Sequence, residues 1–381
     1  MNEAIKAIVT LSALNISGRL WDQILWQGGA VRILGQQPEI IFSLLLNKSK
    51  QLPFLTEDVF KILKAAEEKA YGIDAFLKTG GQILGALGPH ELGKLNRAAS
   101  PLLCAYLRGN RELVRTSPTV AIIGTRDPSL RGKERAFEIA NTLSSAGCLV
   151  VSGGANGIDM AAHEGALAAG GETLVVLGDP INAQYDERPL RIRNLKPAAK
   201  VSTLTVFGPW VGINRTLFVV RNQYVAALAD AILIVEGKLD SGTLHTARFA
   251  RKIGVPVWVI PGDPDNPLAG AANLLLQEGE AKALIKPEHL LKSLGISAVK
   301  AKINAPIFPE TKKVEIKAIT GPHADLITLF TQAGGRITLD FLCDQTGKPI
   351  SLLQKDLLEL ELLGTIRKDG SEFVLNEVFF G

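Results

Sequence analysis

Apolar residues recur at helical spacing through the first hundred positions, over Ile5–Leu14, Gly18–Trp26, Ala30–Leu34, Glu39–Leu46 and Thr56–Tyr71, with Thr56 and Asp58 supplying a helix start. Residues 1–110 are therefore expected to form a helical N-terminal domain, with Trp21 and Trp26 as core aromatics. From Thr119 the pattern changes. Short continuous apolar runs, Val120–Gly124, Cys148–Ser152, Thr173–Leu177, Ala231–Val235 and Pro256–Ile260, alternate with amphipathic stretches over Gly132–Ala146, Ile158–Ala169 and Thr243–Ile253. Such strands are apolar on both faces, which predicts a parallel sheet covered on both sides. Residues 111–297 thus read as a doubly wound, Rossmann-like α/β core. Residues 298–320, with Pro306 and Pro309 among scattered lysines, read as a linker. In residues 321–381 three helical stretches, His323–Ala333, Thr338–Gly347 and Ser351–Leu363, precede two short strands, Gly364–Lys368 and Glu372–Leu375, around an Asp369-Gly370 turn. Three helices and a hairpin predict a C-terminal winged helix.

A length of 381 residues accommodates these units, and 46% apolar with 21% charged residues is the balance of a chain that buries a core, not of a disordered or collagen-like one. Cys104, Cys148 and Cys343 are far apart and odd in number, which argues against a disulfide framework or a zinc site. There is no secretory leader pattern at Met1–Leu14 and no apolar run near the roughly 18 residues of a membrane span, so a cytoplasmic protein with no membrane partner is expected.

Charge matters by position. The formal total is only +4, yet between Glu187 and Asp230 there is no acid, and Arg188, Arg191, Arg193, Lys196, Lys200, Arg215 and Arg221 fall in that interval, interleaved with Phe207, Trp210 and Phe218. Cations tracking a backbone and aromatic faces stacking on bases are what a groove for single-stranded nucleic acid uses.

In a doubly wound sheet, ligands bind outside the carboxyl ends of the strands, so the residues after each strand are informative. They are Gly124-Thr125-Arg126, then Ser152-Gly153-Gly154-Ala155-Asn156-Gly157 leading into a helix at Ile158, and Ser241-Gly242-Thr243. Glycines permit close backbone approach, and a helix N-terminus attracts anions, so these pieces describe a phosphate pocket. The guanidinium fork of Arg126 suits a phosphate. Asp159 is read as supporting the first turn of its helix and His163 as a packing residue. The spacing matches neither GxGxxG nor a Walker A loop, which argues against a dinucleotide or ATP cofactor.

These residues resemble the DNA-processing protein A family (DprA, also called Smf). The resemblance rests on Gly124-Thr-Arg126, the segment Ser152 to His163, Arg221-Asn222-Gln223, the segment Ser241 to Ala247, and Ile260-Pro-Gly262. It extends to Pro101–Gly109, to the helical lead, and to Leu357–Leu375. It implies a homodimer that binds and protects single-stranded DNA and loads the RecA recombinase in natural transformation and recombination, with no catalytic activity and no cofactor or metal. Arg126 would grip a phosphate, the backbone of Ser152 to Gly157 would line the pocket, and Arg221 and Asn222 match the family's Arg-Asn pair. Arg191 and Arg193 join the expected DNA-binding set. The chain departs from the family pattern where Val219-Val220 replaces a Phe-Pro loop, Gln223 replaces an arginine, and Tyr185-Asp186 replaces Tyr-Pro; the resemblance ties these positions to DNA affinity.

Two other readings compete. A phosphoribohydrolase of the LOG type relies on a glutamate, and aligning Gly242-Thr243 on its motif places Thr246 there, a hydroxyl unable to supply the same proton transfer. A nucleotide-sensing adaptor would use the tail for protein contact. Acidic Asp356, Glu359 and Glu361 against Lys355 in the third helix make that helix poor for entering a duplex groove, so protein contact or domain packing is expected of it.

Overall fold

In the computed structural model, which describes residues 2–13, 24, 29–34, 64–68, 73–181, 192, 194–296, 323–332, 336–369 and 372–375, the apolar runs become the strands of one sheet. These are β1 (Gly81–Leu84), β2 (Ala105–Arg108), β3 (Thr119–Ile123), β4 (Leu149–Ser152), β5 (Thr173–Val176), β6 (Val201–Thr205), β7 (Ala231–Ile234), β8 (Val257–Val259) and β9 (Lys282–Ala283). Their order is β1-β2-β6-β5-β4-β3-β7-β8-β9. Neighbours from β6 to β9 are parallel, with Val120 of β3 registered against Val150 of β4 on one side and Ala231 of β7 on the other. The pair β1 and β2 extends the sheet antiparallel through β6.

The helices described in this unit include α1 (Glu3–Ala13), α2 (Ala30–Leu34), α3 (Asp74–Lys78), α4 (Leu130–Ser145), α5 (Ile158–Ala168), α6 (Arg215–Leu228), α7 (Gly242–Lys252), α8 (Gly270–Gln277) and α9 (Pro287–Ser293). Every residue of β3 is buried, and alternate residues go to opposite sides. Val120 and Ile122 pack with Ala136, Ile139, Ala162 and Ala166 of α4 and α5, while Ala121 and Ile123 pack with Val225, Leu228, Leu244 and Ala247 of α6 and α7. Burial on both faces is why the strands read as continuous apolar runs. Helices α4 and α5 cross closely because Gly165 has no side chain; a Cβ there would lie 2.2 Å from the carbonyl oxygen of Phe137.

Strands β1, β2, β6 and β9 were not predicted, and the first two lie within the segment read as helical. Their stability comes from distant partners: Tyr106 of β2 is buried edge-on against Phe76, 6.3 Å between ring centroids, and β2 pairs with β6 almost a hundred residues later. Four-residue strands of this kind carry too little periodicity to be distinguished locally. Trp21, Trp26 and the helices expected over Glu39–Leu46 and Thr56 onward fall wholly or largely outside the described residues.

Asp230, just before β7, fastens the 3-10 segment Pro89–Arg97 to the sheet. Its carboxylate accepts from Lys94 Nζ at 2.6 Å and from Thr119 N at 2.9 Å, and Arg97 lies at 3.4 Å. Burial opposes the charged form of Asp230, but these donors prevail and hold its carboxyl below the usual range.

The chain divides into two compact units, Met1–Pro306 and Ile307–Gly381. The second contains α10 (Ala324–Gln332), β10 (Arg336–Thr338), α11 (Leu339–Thr346), α12 (Ile350–Leu362), β11 (Ile366–Asp369) and β12 (Glu372–Leu375), the strands forming an antiparallel sheet in the order β10-β12-β11. Leu326, Phe330, Leu342, Leu353, Leu357 and Ile366 fill its core. Thr338 caps α11 by accepting the Phe341 N–H at 3.2 Å, and Gly347 ends it in the left-handed region at φ +64°. Strand β10 is an addition to the sequence reading, and the predicted linker, 298–320, lies outside the described residues.

Candidate functional site

Strand β3 has β4 on one side and β7 on the other, so the chain leaves β3 and β7 in opposite directions along the sheet. This is the switch point of a doubly wound fold, where a crevice opens at the carboxyl ends of the strands. The loops after β3, β4 and β7 meet there.

The first loop is Gly124-Thr125-Arg126. A Cβ on Gly124 would lie 2.5 Å from Ile158 and 2.8 Å from the Glu236 carbonyl, so only glycine fits, and the Thr125 N–H donates to that carbonyl at 2.8 Å. The second loop is drawn around Asp159. One carboxylate oxygen, Oδ2, accepts the N–H groups of both Gly153 and Ala155 at 3.2 Å each. Gly153 also makes room for Arg221, whose Nη1 would lie 1.5 Å from a Cβ at that position. The third loop, Ser241-Gly242, opens α7, whose first turn has no acidic residue, and Asn222 Nδ2 donates to the Gly242 carbonyl at 3.5 Å.

Together these loops enclose a cavity of about 320 Å³ lined by Gly124, Thr125, Arg126, Gly153, Arg221, Asn222, Ser241, Gly242 and Thr243, with Asp159 and Thr246. A second lobe of about 340 Å³ shares Arg126, Gly153 and Arg221 and adds Asn156, Asp179 and Phe218. The guanidinium of Arg126 lies 5.7 Å from the centroid of the Phe218 ring. The start of α7, with the hydroxyls of Ser241 and Thr243 beside it, is electrostatically suited to an anion. The start of α4 is not, because Glu236 already sits there, accepting from the Ser129 N–H at 2.9 Å.

Several expected residues have other roles. Ser152 is fully buried and donates its hydroxyl to the Ile122 carbonyl at 2.6 Å. Gly154, at φ +66°, packs on Val175 and Ile192, and Gly157, at φ +86°, packs on the Thr125 carbonyl; none of these three lines either lobe. The Ile158 N–H donates to the Thr125 carbonyl at 3.3 Å, so the start of α5 is turned toward the first loop. Arg191 and Arg193, with Tyr185-Asp186, lie outside the described residues.

The acid-free interval is not one continuous strip. Arg221 is 5% exposed and donates from Nη1 to the Val176 carbonyl at 3.1 Å, forming the floor of the cleft. Lys200 lies at the amino end of β6, away from the carboxyl ends of the strands where the cleft opens, and donates to the Gly170 carbonyl. Of the three aromatics, Phe207 is buried and Trp210 packs edge-on against Tyr106 at 6.5 Å, leaving Phe218 at the cleft.

The departures from the family pattern also look different in three dimensions. Val219 and Val220 lie inside α6, not in a loop. Gln223 is 6% exposed and accepts the Ser100 N–H at 3.1 Å, on a face of α6 that does not border either lobe. Its replacement of an arginine therefore removes no cation from the cleft.

Asp159 organises the second loop instead of supporting its own helix turn. Burial raises its carboxyl above the usual range, against the opposing pull of Arg221 and its hydrogen bonds. His163 is fully buried. Thr173 Oγ1 donates to the Val150 carbonyl at 2.8 Å, so His163 Nδ1, 2.7 Å away, carries the proton and donates to Thr173. Among the described residues its Nε2 has no hydrogen-bond partner, and burial, then Arg221, pushes its pKa down to about 3. The sequence signal for Asp159 in the cleft was present in the segment Ser152 to His163, but its direction depends on the turn at Gly157.

Among the described residues, no group of three His, Cys, Asp or Glu side chains could hold a metal ion, and no helix is long and apolar enough to cross a membrane.

A sequence model described as DNA recombination-mediator protein A matches residues 89–295. Protein Smf of Escherichia coli is 30% identical over 254 residues, covering 65% of this chain and 65% of that protein, just under two thirds of its length. DNA processing protein DprA of Streptococcus pneumoniae is 32% identical over 203 residues, covering 53% of this chain and 70% of that protein. The X-ray structure of DprA from Streptococcus pneumoniae is similar with a TM-score of 0.55 at 25% identity, over 76% of this chain and 97% of that one.

Proposed function

We propose a function for the cleft from one premise: the chain belongs to the DNA recombination-mediator protein A family, whose sequence model spans residues 89–295. The cleft binds single-stranded DNA. The observation that carries this reading is the convergence of Arg126, Asn222 and the start of α7 on one cavity, with Phe218 beneath the Arg126 guanidinium. A phosphate fits against the α7 amides and Arg126, while the aromatic face of Phe218 offers a base a sequence-tolerant platform.

The role is binding without bond-making. Thr246 lines the cavity where a phosphoribohydrolase would need its glutamate, and its hydroxyl donates to the Gly242 carbonyl at 3.3 Å. In our reading the protein protects single strands and passes them to the RecA recombinase in natural transformation or recombination, acting as a homodimer in the cytoplasm. The relatives named DNA processing protein and recombination mediator support this assignment. We read the second unit as a winged helix. Its α12 carries Glu359 and Glu361 on exposed positions, which suits protein contact better than a duplex groove.

Fluorescence anisotropy with a labelled oligo-dT and the matching duplex, across salt, tests the reading. Single-strand binding should weaken with a log–log slope of about −0.7 per phosphate neutralised. Arg126→Ala should lose affinity for all sequences about equally and lower that slope; unchanged affinity sinks the assignment of the cleft.

A further inference from the structure

The two lobes contain opposing charges. Arg126 and Arg221 line both, but Asp159 lines the first and Asp179 the second, so a cleft suited to phosphate holds as many carboxylates as guanidinium groups. Asp159 is 6% exposed; burial raises its carboxyl, while the charge of Arg221, itself 5% exposed, and the two loop N–H groups favour its ionised form.

The arrangement is three-layered. The Gly153 backbone lies between the two side chains, its N–H donating to Asp159 Oδ2 and its α-carbon facing the Arg221 guanidinium so closely that no Cβ fits. A carboxylate so placed opposes the pull of Arg221 on any anion entering the cleft. Removing water from such a pair makes the compensation stronger than at a surface.

We propose that Asp159 is a positioning residue that holds Arg221 neutralised in the floor of the cleft, so that one guanidinium, Arg126, does most of the gripping of a nucleic-acid backbone. This rests on the reading of the cleft as a phosphate site. Its consequence is that the site is set for moderate, releasable affinity, as a protein that passes a strand onward requires. A carboxylate that only shaped the loop would not need its charge. Both loop N–H groups go to a single oxygen, so an amide oxygen in the same place can accept them.

Asp159→Asn therefore separates shape from charge. In oligo-dT binding across salt, the full-length variant should bind more tightly than wild type at low salt, with a log–log slope steeper by about 0.7, one further phosphate contact. Asp159→Glu, which keeps the charge, should leave the slope at the wild-type value, and adding Arg221→Gln to Asp159→Asn should return the slope to it. An Asp159→Asn protein that is folded by circular dichroism but has an unchanged or shallower slope overturns the proposal. Should that variant not fold, Asp159→Ser, which retains one acceptor, must steepen the slope in its place, and its failure to do so counts equally against the idea. Failure of the wild type to bind in a salt-dependent way overturns the reading of the cleft itself, a result distinct from an unmoved slope.

Discussion

Arg126 and Phe218 come from loops and helices more than ninety positions apart, yet the guanidinium lies 5.7 Å from the ring centroid. The ring is also pressed on Gly178, where a Cβ would lie 2.5 Å from Phe218 Cδ1. Arg126 therefore has an oriented platform. Phe218→Leu keeps bulk but removes the aromatic face, which is worth about 0.5–1 kcal/mol to a partly exposed cation. Binding to oligo-dT should weaken by roughly two- to five-fold from that contribution alone. It should weaken further if a base stacks there, as titrations with abasic and normal strands will tell.

Gly153 is sandwiched between Asp159 and Arg221. Gly153→Ala places a methyl in the space of the buried Arg221 guanidinium. Overpacking of this kind costs about 1–3 kcal/mol. A lowered melting temperature is expected, with single-strand binding weakened because displacing Arg221 leaves Asp159 uncompensated in the cleft; wild-type values for both would show that Arg221 can move aside.

Gln223 stands where the family has an arginine, but its side chain serves Ser100. Gln223→Arg should add no phosphate contact, so the salt slope of binding should stay as in wild type. Ser100 is exposed, so loss of the acceptor for its N–H should lower stability by only about 0.5–1.5 kcal/mol. A steeper slope in the same titration would place residue 223 at the strand.

His163 makes stability pH-dependent. In the folded protein its pKa is pushed down to about 3, against 6.5 ordinarily. Between those values the unfolded chain takes up a proton that the folded chain refuses. Its contribution is thus complete above pH 6.5 and declines on acidification, at up to about 1.4 kcal/mol per pH unit. Urea unfolding between pH 7.5 and 5 should show this decline, and His163→Gln should flatten it. An identical slope in both proteins would mean that the imidazole is protonated in the fold.

The chemistry of the site was legible along the chain because it depends on local order: a glycine or polar turn immediately after an apolar strand. Gly124-Thr125-Arg126 and Ser241-Gly242-Thr243 could be picked out this way, as could the parallel sheet. Strands β1, β2 and β6 could not, since pairing across a hundred residues leaves little trace in four-residue runs.

The sequence by itself determined which residues follow the strands and that helices cover both faces of the sheet, because periodicity and turn chemistry are local properties. Only the tertiary structure decided which of them meet. Arg221 and Gln223 are two positions apart on α6, about 200° around a helix, so one reaches the cleft and the other Ser100. The run of cations from Arg188 to Arg221 reads as a strip, but folding sends Lys200 to the amino end of β6 and Arg221 to the floor of the cleft at the carboxyl ends of the strands. Charge in a sequence is a sum along the chain, whereas a binding site depends on which charges burial and strand order bring within reach of each other.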